Sequence, residues 1–242
     1  MKHVLEVCLV AATMAAGVMP AAAQQFPTAE ASKIFAAQTL QRGVSVNMAA
    51  TNSAVAMPDA DESDAWIVTV TRDGGLYFGV DAVTPDQLTE AMRSRPRNRE
   101  QKLYIKADAR ATYADVERVL PIAHASEFET VVFLTSQPGS RQPGTMVAPR
   151  GLEVGIDPAA AAQLAVSVQL ADSGQQLSGL KINNRQIPWA NLQNTLAQLL
   201  QNRSEKAVQV TADGGLNFAD VVRVVDACQA VGARVVLFTS GR

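Results

Sequence analysis

Histidine and cysteine are nearly absent from this chain of 242 residues: it has two of each, His3, His124, Cys8 and Cys228. Two cysteines cannot build a disulfide framework, and zinc centres draw on His/Cys clusters that these scattered residues do not form. His124 has no cysteine or carboxylate at ligand spacing. Cys228 has no histidine in its half of the chain, which argues against a thiol nucleophile. The G-x-S-x-G elbow is missing, as are the G-x-G-x-x-G and G-x-x-x-x-G-K-[ST] phosphate loops, so Asp73-Gly74-Gly75 and Asp213-Gly214-Gly215 read as plain turns. An excess of either charge is lacking too. With 21 basic and 23 acidic residues the net charge is −2, too near neutral for an electrostatic nucleic-acid binder. Disorder is excluded by a hydrophobic content of 48%. The sequence therefore predicts a protein that is not an enzyme, with no cofactor, no metal and no nucleic-acid partner.

What is present begins with an address. Met1 to Glu6 carries the only charges before an Ala-rich run over residues 7–23 that has none. Ala21-Ala22-Ala23 before Gln24 fits an A-x-A cleavage site, so residues 1–23 read as a secretory signal. The rival reading is an uncleaved anchor, since 17 residues lie at the lower edge of the ~17–25 that span a bilayer. Gly17 and Pro20 weaken that run. The first reading places the protein in the periplasm, the second fixes it to the inner membrane.

Residues 24–63 lack a sustained apolar period and read as a tether, with one short helix near residues 29–40. A run of turn formers, Pro138 to Gly144, opens a linker over residues 138–150. Between and after these breaks lie two blocks, 64–137 and 151–242, each large enough for a small core.

The blocks repeat one another. Ala107-Asp108 followed by Tyr113-Ala114-Asp115-Val116 matches Ala212-Asp213 followed by Phe218-Ala219-Asp220-Val221 at a constant offset of 105 residues. Val131 to Ser136 matches Val235 to Ser240 at an offset of 104. The likeness of Asp73-Gly74-Gly75 to Asp213-Gly214-Gly215 ends at once on both sides and belongs to no repeat.

Each block reads β-β-α-β-α-β, an α+β fold with two tandem small domains, each a sheet with two helices on one face. Residues 66–71 alternate as a strand and 76–78 return as its hairpin partner. Thr84-Pro85-Asp86-Gln87 supplies a capping box with proline at the first helical position, and Leu88, Ala91 and Met92 follow as the buried stripe. Residues 103–105 form a short strand. Val116, Val119, Leu120 and Ala123 form a second amphipathic helix, which Pro121 should kink. In the second block the hairpin falls on 164–170 and 180–182 and the first helix carries Leu192, Leu196, Leu199 and Leu200. The middle strand is 208–210, and the last helix carries Val221, Val224, Val225 and Cys228. The helix between the last two strands of each block makes them parallel neighbours.

These residues carry a family likeness. Thr84-Pro85-Asp86-Gln87-Leu88, Tyr104-Ile105-Lys106-Ala107-Asp108, Tyr113-Ala114-Asp115-Val116 and Val132-Phe133-Leu134-Thr135, in that order, resemble the periplasmic domain of the ExbD/TolR family. Val210-Thr211-Ala212-Asp213, Phe218-Ala219-Asp220-Val221-Val222 and Leu237-Phe238-Thr239 resemble it again, and Val46-Asn47-Met48 resembles the segment after that family's membrane helix. The resemblance implies an accessory subunit of an envelope energy-transduction system for biopolymer transport. Its implied partners are an ExbB/TolQ-like channel complex or an energy-transducing protein, or peptidoglycan in the TolR branch. It further implies pairing of such domains, here within one chain. The sequence departs at the motor part: residues 7–23 hold no Asp or Glu, and an intramembrane carboxylate is what a proton carrier requires. A free peptidoglycan- or protein-binding module is the alternative reading, and an unrecognised enzyme a remote one.

The candidate residues are few. Asp108 and Asp213 at strand ends read as partner contacts or as caps accepting backbone N–H bonds. Asp115 and Asp220 belong to the same repeated motif. Tyr113 and Phe218 read as ligand platforms or core aromatics, their place on the apolar stripe favouring the core. Arg93, Arg95, Arg97 and Arg99 form a basic cluster suited either to a polyanion or to a solvated loop beyond a helix C-terminus.

Overall fold

The structure is a computed structural model and describes residues 44–98, 100–136, 148–172 and 179–238. The N-terminal run, the helix expected near residues 29–40 and most of the linker lie outside these residues.

The first strand, β1 (Val55–Ala56), and a 3-10 turn over Pro58–Asp61 belong to the stretch read as tether. Next come β2 (Trp66–Val70), β3 (Leu76–Phe78) and β4 (Asp81–Val83). Gly74 makes the β2–β3 turn with φ +80°, a conformation that favours glycine. Helix α1 (Pro85–Ser94) opens with the expected capping box: Thr84 Oγ1 accepts from Gln87 N at 3.2 Å and Gln87 Oε1 accepts from Thr84 N at 2.8 Å. Leu88 and Met92 are its buried residues.

Strand β5 (Leu103–Ala107) leads into α2 (Tyr113–Glu117) and α3 (Val119–Ala125), then β6 (Thr130–Thr135). Pro121 has no N–H for the carbonyl of Glu117, and the helix breaks at Arg118 instead of bending smoothly.

The second copy begins with two elements that the repeat does not foretell, β7 (Arg150–Gly155) and α4 (Pro158–Ala162). It continues through β8 (Ser167–Ala171), β9 (Gly179–Ile182), β10 (Arg185–Gln186), α5 (Leu192–Leu200), β11 (Ala207–Ala212), α6 (Phe218–Ala230) and β12 (Arg234–Leu237). The strand read over 164–170 starts later because Leu164 still closes the turn after α4, donating to Ala161 O at 3.1 Å. With no proline, α6 runs unbroken for thirteen residues.

The fold is α+β, and the two copies share one twelve-stranded sheet, ordered β10-β9-β8-β11-β12-β7-β6-β5-β2-β3-β4, with β1 pairing β7 off this path. Within each copy the strands flanking the second helix, β5 with β6 and β11 with β12, are parallel as expected. β7 joins the copies, antiparallel to β6 and parallel to β12. Its glycines permit this close approach: a Cβ on Gly151 would stand 2.3 Å from Val132 Cγ1.

One apolar core runs through both copies beneath the helices, from Trp66 to Leu237, with Phe133 and Phe218 in edge contact at 5.0 Å across the junction. A second, smaller core lies on the opposite sheet face of the first copy. There Met57 and Ala60 pack on Ile67, Tyr104, Val132 and Leu134. Residues 44–63, the described part of the stretch read as tether, thus form a strap whose Met57 and Ala60 cover this face.

Candidate functional site

The repeated motif places its residues around a local two-fold relation. Tyr113 N donates to Leu216 O at 2.7 Å, and Phe218 N donates to Ala111 O at 2.9 Å. Ala114 N donates to Gly214 O at 2.9 Å, and Ala219 N to Ala109 O at 3.0 Å. Each member of a pair is the other's counterpart at the 105-residue offset, and Thr112 faces its own counterpart Asn217 as an antiparallel bridge. Four backbone donors that open two helices are satisfied by the opposite copy, so the helix starts themselves form the junction.

Tyr113 and Phe218 are both fully buried. The structure places them in the core, where burial pushes the Tyr113 phenol well above its ordinary range. The matching aspartates have diverged. Asp108 is 4% exposed. Its Oδ1 accepts from Arg110 N and Nε, each at 3.0 Å, and its Oδ2 from Arg110 Nη2 and Asn47 N, each at 3.2 Å. The Arg110 side chain and these backbone donors hold its carboxyl below the usual range against the opposing effect of burial. Asp213 is exposed and accepts from Asp172 N at 2.9 Å. Asp115 accepts from the Thr112 hydroxyl at 2.6 Å and pairs with Arg118 at 2.6 Å, whereas Asp220 lies half-buried in the first turn of α6.

The arginine cluster is largely turned inward on the protein. Arg95 lies over the Trp66 ring at 4.8 Å and donates to Asp64 O at 2.5 Å. Arg97 lies over Phe128 at 4.1 Å and donates to the carbonyls of Ser126 and Glu127 beyond the end of α3. Cations suit that carbonyl-rich end. Arg93 is exposed, and Arg99 lies outside the described residues.

The strap makes contacts that sequence reasoning does not supply. Ala109 N donates to Asn47 O at 2.8 Å and Ser136 N to Ala49 O at 2.9 Å, fixing the strap to the ends of β5 and β6. The carboxylate of Asp226, on α6 in the second copy, then accepts from Ser53 N at 2.8 Å, from the Ser53 hydroxyl and from Asn52 N. Arg150 donates to Ala54 O. On the face beneath, Lys106 is 3% exposed; burial lowers its pKa and the charge of Asp61 works against that. Tyr104, on the same face, is pushed up to about 12 by burial and by Asp59, Glu62 and Glu153. The sequence sign of this face is alternation: in Leu103–Ala107 it sets Tyr104 and Lys106 opposite Leu103 and Ile105, and in Trp66–Val70 it sets Ile67 and Thr69 opposite Trp66, Val68 and Val70.

Among the described residues no group of three or more His, Cys, Asp or Glu side chains is placed to hold a metal ion, and no helix is long and apolar enough to cross a membrane.

A shared sheet with helix starts hydrogen-bonded across a two-fold relation makes one unit of two like halves. The family model of the biopolymer transport protein ExbD/TolR matches residues 7–138 and again 135–241. The chain belongs to the ExbD/TolR family, with two tandem matches. Family members are transport accessory proteins rather than enzymes, are associated with the cell envelope and generally work with ExbB/TolQ-type partners. No curated protein matches the chain.

Proposed function

We propose that this chain is a non-catalytic, exported accessory subunit of an envelope energy-transduction system, acting in the periplasm by protein–protein recognition. Its blocks 64–137 and 151–242 serve as the two halves of a dimer-like unit contained in one molecule. The observation that carries this reading is the reciprocal hydrogen bonding of Tyr113 with Leu216 and of Phe218 with Ala111. Surface that a separate domain would offer to a second chain is here satisfied internally, and tethering on one chain raises the effective concentration of each half for the other.

The same reading makes this subunit a recogniser rather than a proton carrier, because residues 7–23 lack an acidic side chain. A channel complex of the ExbB/TolQ type is its expected partner.

Light scattering on the purified chain tests the dimer-like unit. One chain's mass, 25.7 kDa or less if the leader is removed, is the expected result, and a stable two-chain species overturns it. Sedimentation with purified cell wall tests the mode of recognition: strong retention of the chain replaces the protein-partner reading with a wall-binding one.

A further inference from the structure

The two copies differ in polarity on the sheet face away from the helices. Register aligns Val70 with Ala107 in the first copy and Leu170 with Ala212 in the second. The residues facing outward are then Ile67, Thr69, Tyr104 and Lys106 in one copy and Ser167, Gln169, Gln209 and Thr211 in the other. The second set is polar and half-exposed, and beside it α4 packs on β11 and β12, where Ala161, Ala207 and Val236 are buried. The first set is buried, with Met57 and Ala60 of the strap seated on it.

This covered face is poorly matched to its cover. The Thr69 hydroxyl is buried and has no hydrogen-bond partner among the described residues. An orphaned buried hydroxyl has given up its water contacts with nothing in return, which weakens the packed arrangement. The covering segment has little structure of its own. β1 has two residues, both exposed, and the following 3-10 turn has four. Segments with few buried contacts and short local structure open at lower free energy than the core.

We propose that residues 57–62 are the resident occupant of a docking face on the first copy, and that an acidic, apolar segment of a partner chain displaces them. The strap supplies the template for that partner. Met57 and Ala60 fill the apolar sites over Ile67, Tyr104, Val132 and Leu134, while Asp61 brings its carboxylate into the field of Lys106. A displacing segment gains by placing an acceptor where the Thr69 hydroxyl now has none. This inference rests on the reading of the protein as a recognition subunit and names the surface it would use.

The probe is a fluorescent peptide with the sequence of residues 55–64, VAMPDADESD, titrated into the full chain. Met57→Asp expels the strap's principal apolar anchor and is expected to bind the peptide at least tenfold more tightly than the wild type. A scrambled peptide is expected not to bind. Equal binding by wild type and variant, or no binding by a variant that keeps the native spectrum, overturns the proposal. Hydrogen exchange on the unmodified chain decides independently of whether the variant folds. Faster exchange at the Ala60 and Ala65 amides than in β2, β5 and β6 is expected, and core-like protection there overturns the proposal. A failed peptide titration leaves the light-scattering test of the dimer-like unit untouched, so the two readings fall separately.

Discussion

Tyr113 and Phe218 occupy equivalent places on the two sides of the junction and differ by one buried oxygen. Both rings are fully buried, and the Tyr113 hydroxyl has no hydrogen-bond partner among the described residues. The second copy shows that the position works without it.

Tyr113→Phe is therefore expected to stabilise the fold. Removing an orphaned hydroxyl recovers about 1–3 kcal/mol, less any loss from imperfect repacking. Urea unfolding of wild type and variant measures this as a higher midpoint at unchanged slope, and a lower midpoint would show that the hydroxyl has a role in the junction.

Asp108 predicts an acid-sensitive anchor between the strap and the end of β5. Its carboxyl titrates below the ordinary carboxylate range in the folded chain. A depressed folded value contributes stability that is present above the unfolded value of ~3.9 and is lost as pH falls through the folded value. Thermal melts from pH 5 downward are expected to show a steeper decline below pH ~4 in wild type than in Asp108→Asn. Parallel declines would assign the acid sensitivity to other carboxylates.

Gly151 tests the joint sheet. Alanine there brings its Cβ to 2.3 Å from Val132 Cγ1 and 3.1 Å from the Phe133 carbonyl, contacts that β6 and β7 cannot relieve without separating. Overpacking of this kind costs about 1–3 kcal/mol. Gly151→Ala is expected to unfold at a lower temperature, with both copies losing structure together because β7 pairs with each. Loss confined to one copy would mean that the halves are independent.

Much of this arrangement was legible in the residues because local chemistry set it. Thr84-Pro85-Asp86-Gln87 specified a helix start, Pro121 a helix interruption, and the 105-residue offset the equivalence of Tyr113 with Phe218. Long-range partners were not legible. Leu152, Val154 and Ile156 alternate like any strand, and nothing local says that this strand sits between β6 and β12. The strap reads as a tether because its apolar residues are small and follow no period; Ala49 and Ala54 pack on one face of the sheet, Met57 and Ala60 on the other. The arginine cluster looked available for an anion because its aromatic partners Trp66 and Phe128 lie about 30 residues away on either side. Asp226 carried no signal at all, since an acid on the flank of a helix ordinarily faces water.

The central place of β7 has a consequence for symmetry. A two-fold relation between halves can be straddled by one strand in one direction only, so β6 and β12 meet that strand with opposite polarity. Outward from it the halves stay alike, β6-β5-β2-β3-β4 on one flank matching β12-β11-β8-β9-β10 on the other. The doubled chain therefore ends in two edges of like topology and carries its asymmetry at the seam.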